Sequence, residues 1–143
     1  MRKSSLIVCA FVVVACSLIA GQVAHSQVPP DGVNITLPAV PYGCEFDVSL
    51  QGIGKGRVIV TNLSDTSKSV SLHVPGKWHQ ETVGSDLVTK VTGRNLLIGP
   101  EAGLTGIWLV IGNWSWVINS FTGEIVQPFD GSGQQIDVCE MIN

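Results

Sequence analysis

Two histidines are the side chains of this sequence that most readily suggest chemistry. His73 and His79 flank a segment that contains Pro75 and Gly76, and imidazoles brought together could begin a metal site. A zinc site needs a third ligand and usually a fourth, and no residue is spaced to supply them. We therefore expect no metal, and we expect His73 to continue the polar strand face that begins at Ser69.

The patterns that support catalysis are incomplete. Nucleophilic catalysis needs Ser or Cys with a base and an orienting group, and the nearest G-x-S-x-G pattern, residues 112–116, lacks its final Gly. The acidic residues are scattered singly, so no pair is placed for glycoside hydrolysis. Residues 52–56 (GIGKG) precede a β-branched run rather than a helix, which predicts a hairpin loop and not a phosphate site. Residues 130–134 hold one carboxylate, which is typical of a turn rather than a calcium site. We expect no cofactor and a protein that is not an enzyme.

Aromatic side chains offer another kind of site. Exposed rings bind sugars by stacking or anchor protein interfaces. Trp114 and Trp116 belong to the predicted core, which leaves Trp78 and Trp108 as the possible ligand-facing aromatics. The alternative is that each of these two rings covers a sheet edge or lies under a loop.

The first 26 residues have the order of a secretory signal peptide. A positively charged start is followed by an apolar run over residues 6–19, and Ala24 and Ser26 stand at the −3 and −1 positions of a cleavage site. The run is shorter than the roughly 20 residues of a membrane-spanning helix, and we expect no transmembrane segment in the mature chain. Residues 13–16 resemble a bacterial lipobox, so a lipid anchor at Cys16 is the alternative to secretion.

Removal of the predicted signal peptide changes the net charge of the chain, and the net charge bears on whether a nucleic acid can be a partner. The whole chain of 143 residues carries 13% charged residues and a net charge of −3. Loss of Arg2 and Lys3 leaves 6 basic and 11 acidic residues, a net charge of −5. A protein that binds duplexes needs a basic surface to neutralise phosphates, so we expect no nucleic acid partner. The 45% hydrophobic content excludes a disordered chain.

Two cysteines remain after cleavage, Cys44 and Cys139. An even pair in an exported chain indicates a disulfide. The predicted bond joins the start of the folded region to its end across 95 positions, and a metal pair would lack nearby partners.

Alternating apolar and polar residues dominate the mature chain and predict an all-β fold. Residues 27–42 contain four prolines and form an extended lead-in with an edge strand at 33–37, while residues 43–143 form a single domain. Further strands are predicted at 45–50, 57–63, 69–74 and 86–92. The spacing of strands and turns favours an antiparallel β-sandwich, immunoglobulin-like or Greek-key. A closed up-and-down β-barrel is the alternative.

A hairpin is predicted near the middle of the second half. Residues 107–111 and 114–118 flank Gly112-Asn113, and Gly at the first central position fits a type II′ turn. This register would place six large side chains on one core face: Ile107, Leu109, Ile111, Trp114, Trp116 and Ile118.

Four segments of the second half, 92–97, 111–117, 127–128 and 133–139, resemble a group of small secreted proteins of actinobacteria for which no activity is established. The resemblance implies a bacterial exported protein and brings no catalytic residue with it. We expect a secreted, non-catalytic binding or structural module outside the cell, with a glycan or a protein at the cell surface as partner. The alternatives are a carbohydrate-binding module, a small extracellular enzyme and a lipid-binding barrel.

Overall fold

The computed structural model describes residues 28–39, 42–99 and 102–143. The predicted signal peptide and the alternative anchor at Cys16 therefore lie outside the described residues. The described elements, in chain order, are β1 (Asn34–Leu37), β2 (Val48–Gly52), β3 (Arg57–Asn62), β4 (Ser69–His73), β5 (Lys77–Val83), β6 (Asp86–Ile98), β7 (Ile107–Asn119), β8 (Ile125–Asp137) and a short helix, α1 (Val138–Met141).

The strands form two four-stranded antiparallel sheets. The first sheet has the order β1-β2-β3-β4 and the second has the order β5-β6-β7-β8. The predicted all-β sandwich is confirmed. Each sheet joins consecutive strands as a meander, whereas a Greek key would return its fourth strand beside its first. The closed barrel is wrong, because both sheets have open edges.

Alternation builds the first sheet as the sequence predicts. Val58 and Val60 of β3 are fully buried, whereas Arg57 on the same strand is exposed. Val58 is paired with Leu72 of β4, and Val60 is paired with Leu50 of β2. Because successive side chains of a strand point to opposite faces, the apolar face of this sheet turns inward.

The first core lies between that inner face and one half of the second sheet. It includes Leu96 and Ile98 of β6, Ile107 and Leu109 of β7, and Ile142 beyond α1. Helix α1, which the sequence patterns do not predict, is capped by the Asp137 carboxylate, which accepts from the backbone amides of Cys139 and Glu140. The end of the chain is thereby fixed against the core.

The predicted hairpin around Gly112 is wrong. β7 is one continuous strand of 13 residues, and it pairs with β6 from Ile98↔Ile107 to Asp86↔Asn119. Odd-numbered side chains such as Leu109 therefore face the first core, while even-numbered ones such as Trp116 face the opposite side. The six side chains expected on one face are divided between two.

A row of three glycines explains why the chain passes through Gly112 without turning back. Gly93, Gly112 and Gly133 are aligned across β6, β7 and β8. Gly112 has φ +124° and Gly133 has φ +134°. A Cβ atom on Gly112 would collide with the Ser132 carbonyl oxygen, and one on Gly133 with the Ile111 carbonyl oxygen. Glycine permits both this backbone geometry and the close approach of the strands.

A second core covers the other face of the second sheet, and most of its large rings are tryptophans. Trp78 and Trp116 meet edge to face at 5.4 Å between ring centroids. Trp114 stacks on Phe129 at 4.8 Å. The indole N–H groups of Trp78 and Trp116 are buried with no acceptor. Aromatic contact and burial stabilise this cluster at the cost of two unsatisfied donors.

The predicted disulfide between Cys44 and Cys139 is confirmed, with a Cα–Cα distance of 5.3 Å. It joins the segment that precedes β2 to the first turn of α1. The bond closes a loop across 95 positions, and thus ties the first sheet to the end of the second.

Candidate functional site

A shallow cleft of about 690 Å³ opens at the end of the first sheet where β2 turns into β3. Three chain segments meet there: the turn that precedes β1, the β2–β3 hairpin and the last residue of β4. Its lining residues are Asp31, Ile53, Gly54, Lys55, Arg57 and His73. The cleft combines cations, a carboxylate, an imidazole and one apolar side chain.

The β2–β3 hairpin places Lys55 at the mouth of the cleft. The Arg57 amide donates to the Gly54 carbonyl oxygen at 3.0 Å. The two residues between them have positive φ, +52° at Lys55 and +69° at Gly56, which is the geometry of a type I′ turn. The predicted hairpin loop is confirmed. A non-glycine residue in this conformation costs roughly 1 kcal/mol, so Lys55 holds a locally strained position.

Arg57 and His73 occupy the cleft wall as cross-strand neighbours of β3 and β4. Both side chains are exposed and point away from the first core. His73 thus continues the polar strand face, as the alternation predicts. Directly opposed residues of antiparallel strands have Cβ atoms about 5 Å apart, so one ligand can contact both side chains.

A second depression of about 390 Å³ lies beside the first, on the connection from β4 to β5. It is lined by Pro75, Gly76, Lys77, Thr92, Gly93 and Arg94. The two depressions are linked by Arg94, whose Nε donates to the His73 carbonyl oxygen at 2.9 Å. The Gly76 amide donates to the Arg94 carbonyl oxygen at 2.8 Å, which continues the contact.

The basic side chains of the described residues gather along these two depressions. Lys90 and His79, cross-strand neighbours on β6 and β5, extend the surface beyond the second depression. We call this surface the basic strip, and its members are Lys55, Arg57, His73, Lys77, His79, Lys90 and Arg94. Five of the six lysines and arginines in the described part of the chain belong to it, and Lys68 is the exception.

Three carboxylates lie in or beside the basic strip. Asp31 lies inside the first cleft, close to the backbone of Gly54. Glu81 follows His79 on the same face of β5. Asp130 lies beyond Ser115, the residue of β7 that pairs with Lys90. The basic strip therefore has a carboxylate near each border, Glu81 and Asp130, and one carboxylate, Asp31, within it.

The two tryptophans named as possible ligand-facing aromatics have different positions. Trp78 is only 3% exposed, so a ligand-facing position for this ring is wrong. Its pairing with Val91 turns the ring to the inner face of β5, into the second core. Trp108 is half-buried against that core, and its Nε1 donates to the Thr105 carbonyl oxygen at 2.8 Å. A ligand contact at Trp108 stays a prediction.

Among the residues that the structure places, the other titratable groups form no second cluster. His73 and His79 lie on different sheets. The described ranges contain no group of three His, Cys, Asp or Glu residues placed to hold a metal ion. Hydrogen bonds from the Ser67 hydroxyl and amide hold the pKa of Asp65 below its ordinary value, but Asp65 lies in the β3–β4 loop outside the basic strip.

No protein-family model, curated protein or solved structure matches this chain. No helix among the residues placed by the structure is long and apolar enough to cross a membrane.

The sequence did not reveal the basic strip, because its members come from the β2–β3 hairpin, two strands of the first sheet and two of the second. Lys55 and Arg57 share one short segment, but Lys77, Lys90 and Arg94 are separated from it and from each other. The net negative charge also pointed away from a cationic surface. The pairing of β3 with β4 and of β5 with β6, together with the Arg94 hydrogen bond to His73 between the sheets, brings these residues together.

Proposed function

We propose that this chain is an exported, non-catalytic binding module that uses the basic strip to hold an anionic ligand outside the cell. The observation that carries the proposal is the concentration of five of the six described lysines and arginines on one strip of a chain with net charge −3. A surface on which cations outnumber carboxylates attracts anions and raises their local concentration.

The export half of the proposal is supported by two independent features. Residues 1–26 have the order of a signal peptide. The Cys44–Cys139 disulfide fits a protein that folds in an oxidising compartment, since cytosolic thiols are kept reduced. The resemblance to small secreted proteins of actinobacteria points in the same direction.

Export is tested by expressing the full chain in a bacterial host with an active secretion pathway. We expect the secreted product to begin at Gln27 and to contain one disulfide, as measured by intact mass before and after reduction. A product that keeps residues 1–26 and stays inside the cell would refute export. A lipid-modified product that begins at Cys16 would support the anchored alternative instead.

Anion binding is tested on the secreted protein with two soluble polyanions, polyphosphate and dextran sulfate. We expect both to bind at 50 mM NaCl and to bind less tightly at 200 mM, because each phosphate or sulfate contact releases counterions. The charge reversal Arg57→Glu should weaken binding at least about tenfold, since a hydrogen bond to a charged group contributes about 1.5–3 kcal/mol.

The matched control for this variant is Lys68→Glu. It changes the net charge by the same amount at the basic residue outside the basic strip. We expect Lys68→Glu to bind as the unmodified protein does. Equal weakening by the two variants would contradict a localised site, and no binding to polyphosphate, dextran sulfate or polygalacturonate at 50 mM NaCl would contradict the proposed function.

A further inference from the structure

We propose that the ligand of the basic strip is an acidic polysaccharide built of uronic acid units, with one unit in the first cleft and the adjoining unit in the second depression. The proposal rests on the proposed function, because it names the chemical class of the anion that the same site would hold.

The lining of the first cleft contains three kinds of group, each matched by a different part of an acidic sugar. Lys55 and Arg57 supply cations for a carboxylate. Asp31 supplies an acceptor for sugar hydroxyls. Ile53, with 38% of its side chain exposed, supplies an apolar surface for the C–H face of a pyranose ring.

Asp31 is the residue of the cleft that favours a sugar over a simple anion as the ligand. The sulfate groups of dextran sulfate and the internal phosphates of polyphosphate carry no proton to donate at neutral pH, so a carboxylate in the cleft repels them. A uronic acid has both an anion and hydroxyl donors, and it can therefore use Arg57 and Asp31 at once. The mixed lining favours a ligand that carries hydroxyl groups beside its negative charge.

The second depression gives the site the length that a polymer needs. His73 lines the first cleft and Pro75 lines the second, and two residues of extended chain span about 7 Å. Lys77 and Arg94 supply cations to this second position. Two neighbouring depressions that each contain basic groups fit a repeating anion better than a single small one.

The strained conformation of Lys55 supports a role in binding. Glycine would adopt φ +52° without strain, yet this position carries a lysine. Local strain of this kind is concentrated at functional sites. The turn places Lys55 in the lining of the first cleft, within reach of a carboxylate bound there.

The carboxylates around the basic strip also argue against a nucleic acid. Asp31 lies within the strip, and Glu81 and Asp130 lie at its borders. A continuous phosphate backbone would meet these groups with repulsion. A polysaccharide can place hydroxyl groups opposite them, which turns each carboxylate into a hydrogen-bond acceptor.

The decisive experiment measures how Asp31→Ala changes binding to two polyanions, polygalacturonate and polyphosphate. If Asp31 accepts sugar hydroxyls, the variant should bind polygalacturonate about tenfold less tightly. The same variant should bind polyphosphate more tightly, because it removes a negative charge from the cleft. The two ligands should therefore respond with opposite signs.

Two further variants serve as controls. Glu124→Ala removes one negative charge from the β7–β8 loop, far along the chain from the cleft, and should change neither affinity. Ile53→Ser should weaken binding to polygalacturonate and leave polyphosphate unchanged, because only the sugar has an apolar face. Intact mass and tryptophan emission verify that every variant keeps its disulfide and its second core.

Each other outcome overturns the inference in a distinguishable way. Tighter binding of both polyanions by Asp31→Ala would leave the proposed function intact. It would show that the ligand is a simple polyanion and not an acidic sugar. Tighter binding of duplex DNA than of polygalacturonate by the unmodified protein would identify a nucleic acid ligand. Failure to bind any polyanion would remove the proposed function together with the inference.

Discussion

Lys55 is a residue at which folding stability and binding are expected to be opposed. Its φ of +52° is compatible with the type I′ turn but unfavourable for a side chain with a Cβ atom. Lys55→Gly removes that strain and also makes the unfolded chain more flexible. We expect the two effects to leave a net stabilisation of at most about 0.5 kcal/mol in guanidinium unfolding, together with weaker binding to polyphosphate.

The control for this substitution is Lys68→Gly. Lys68 lies outside the basic strip, and among the described non-glycine residues only Lys55 has positive φ. A glycine at position 68 therefore relieves no strain and should destabilise the protein by about 0.5–1 kcal/mol through the unfolded state. If the two variants changed stability in the same direction, the strain assigned to Lys55 would be wrong.

The long strands of the second sheet depend on the glycine row formed by Gly93, Gly112 and Gly133. Gly112→Ala would place a Cβ atom against the Ser132 carbonyl oxygen of the neighbouring strand. We expect a destabilisation of about 3 kcal/mol or more, since a backbone clash adds to an unfavourable φ. Guanidinium unfolding measures the loss, and a red shift of tryptophan emission would report loosening of the second core.

Gly84→Ala separates the two causes. Gly84 also has positive φ, +64°, but a Cβ atom there would meet nothing within 4 Å. We expect this control to lose only about 1 kcal/mol. Equal losses at the two positions would mean that close approach between β7 and β8 contributes nothing.

The same glycines show which parts of the fold can be predicted from a short segment of the sequence. The alternation at residues 69–74 predicts β4 because period two records the two faces of a strand wherever that strand lies, and the β-branched residues of 57–63 predict β3. A Gly-Asn pair between two apolar runs fits a turn and a bent strand equally well. What decides is the alignment of Gly112 with Gly93 and Gly133, which no local pattern contains.

The candidate site was less predictable than the fold for a related reason. With Trp114 and Trp116 assigned to the predicted core, the sequence leaves Trp78 as a possible ligand-facing ring, and only its register with Val91 turns that ring into the second core. Strand pairing sets Arg57 beside His73, and a hydrogen bond between the two sheets joins Arg94 to the His73 carbonyl oxygen. Side chains that meet across sheets leave no spacing signal within one segment.

The two cores share one sheet, and this arrangement defines how the molecule holds together. β7 contributes Leu109 to the first core and Trp116 to the second. The first sheet covers only the first core, and the Cys44–Cys139 disulfide ties it to the end of the second sheet. Loss of the disulfide should therefore loosen the contact between the sheets rather than the strand pairing within either one.

Reduction of this disulfide should lower the stability of the whole protein substantially. Closing a loop of 95 positions stabilises a fold by about 4–5 kcal/mol through the unfolded chain. For a chain of this size, such a loss lowers Tm by about 10–20 °C. The measurement compares thermal unfolding of the oxidised protein, the reduced protein and a Cys44→Ala/Cys139→Ala variant, followed by tryptophan emission and far-ultraviolet circular dichroism.

The reduced protein and the variant should agree with each other, because both lack the same cross-link. A Tm within a few degrees of that of the oxidised protein would show that packing of the first core alone holds the two sheets together. The bond would then indicate an oxidising compartment without stabilising the fold.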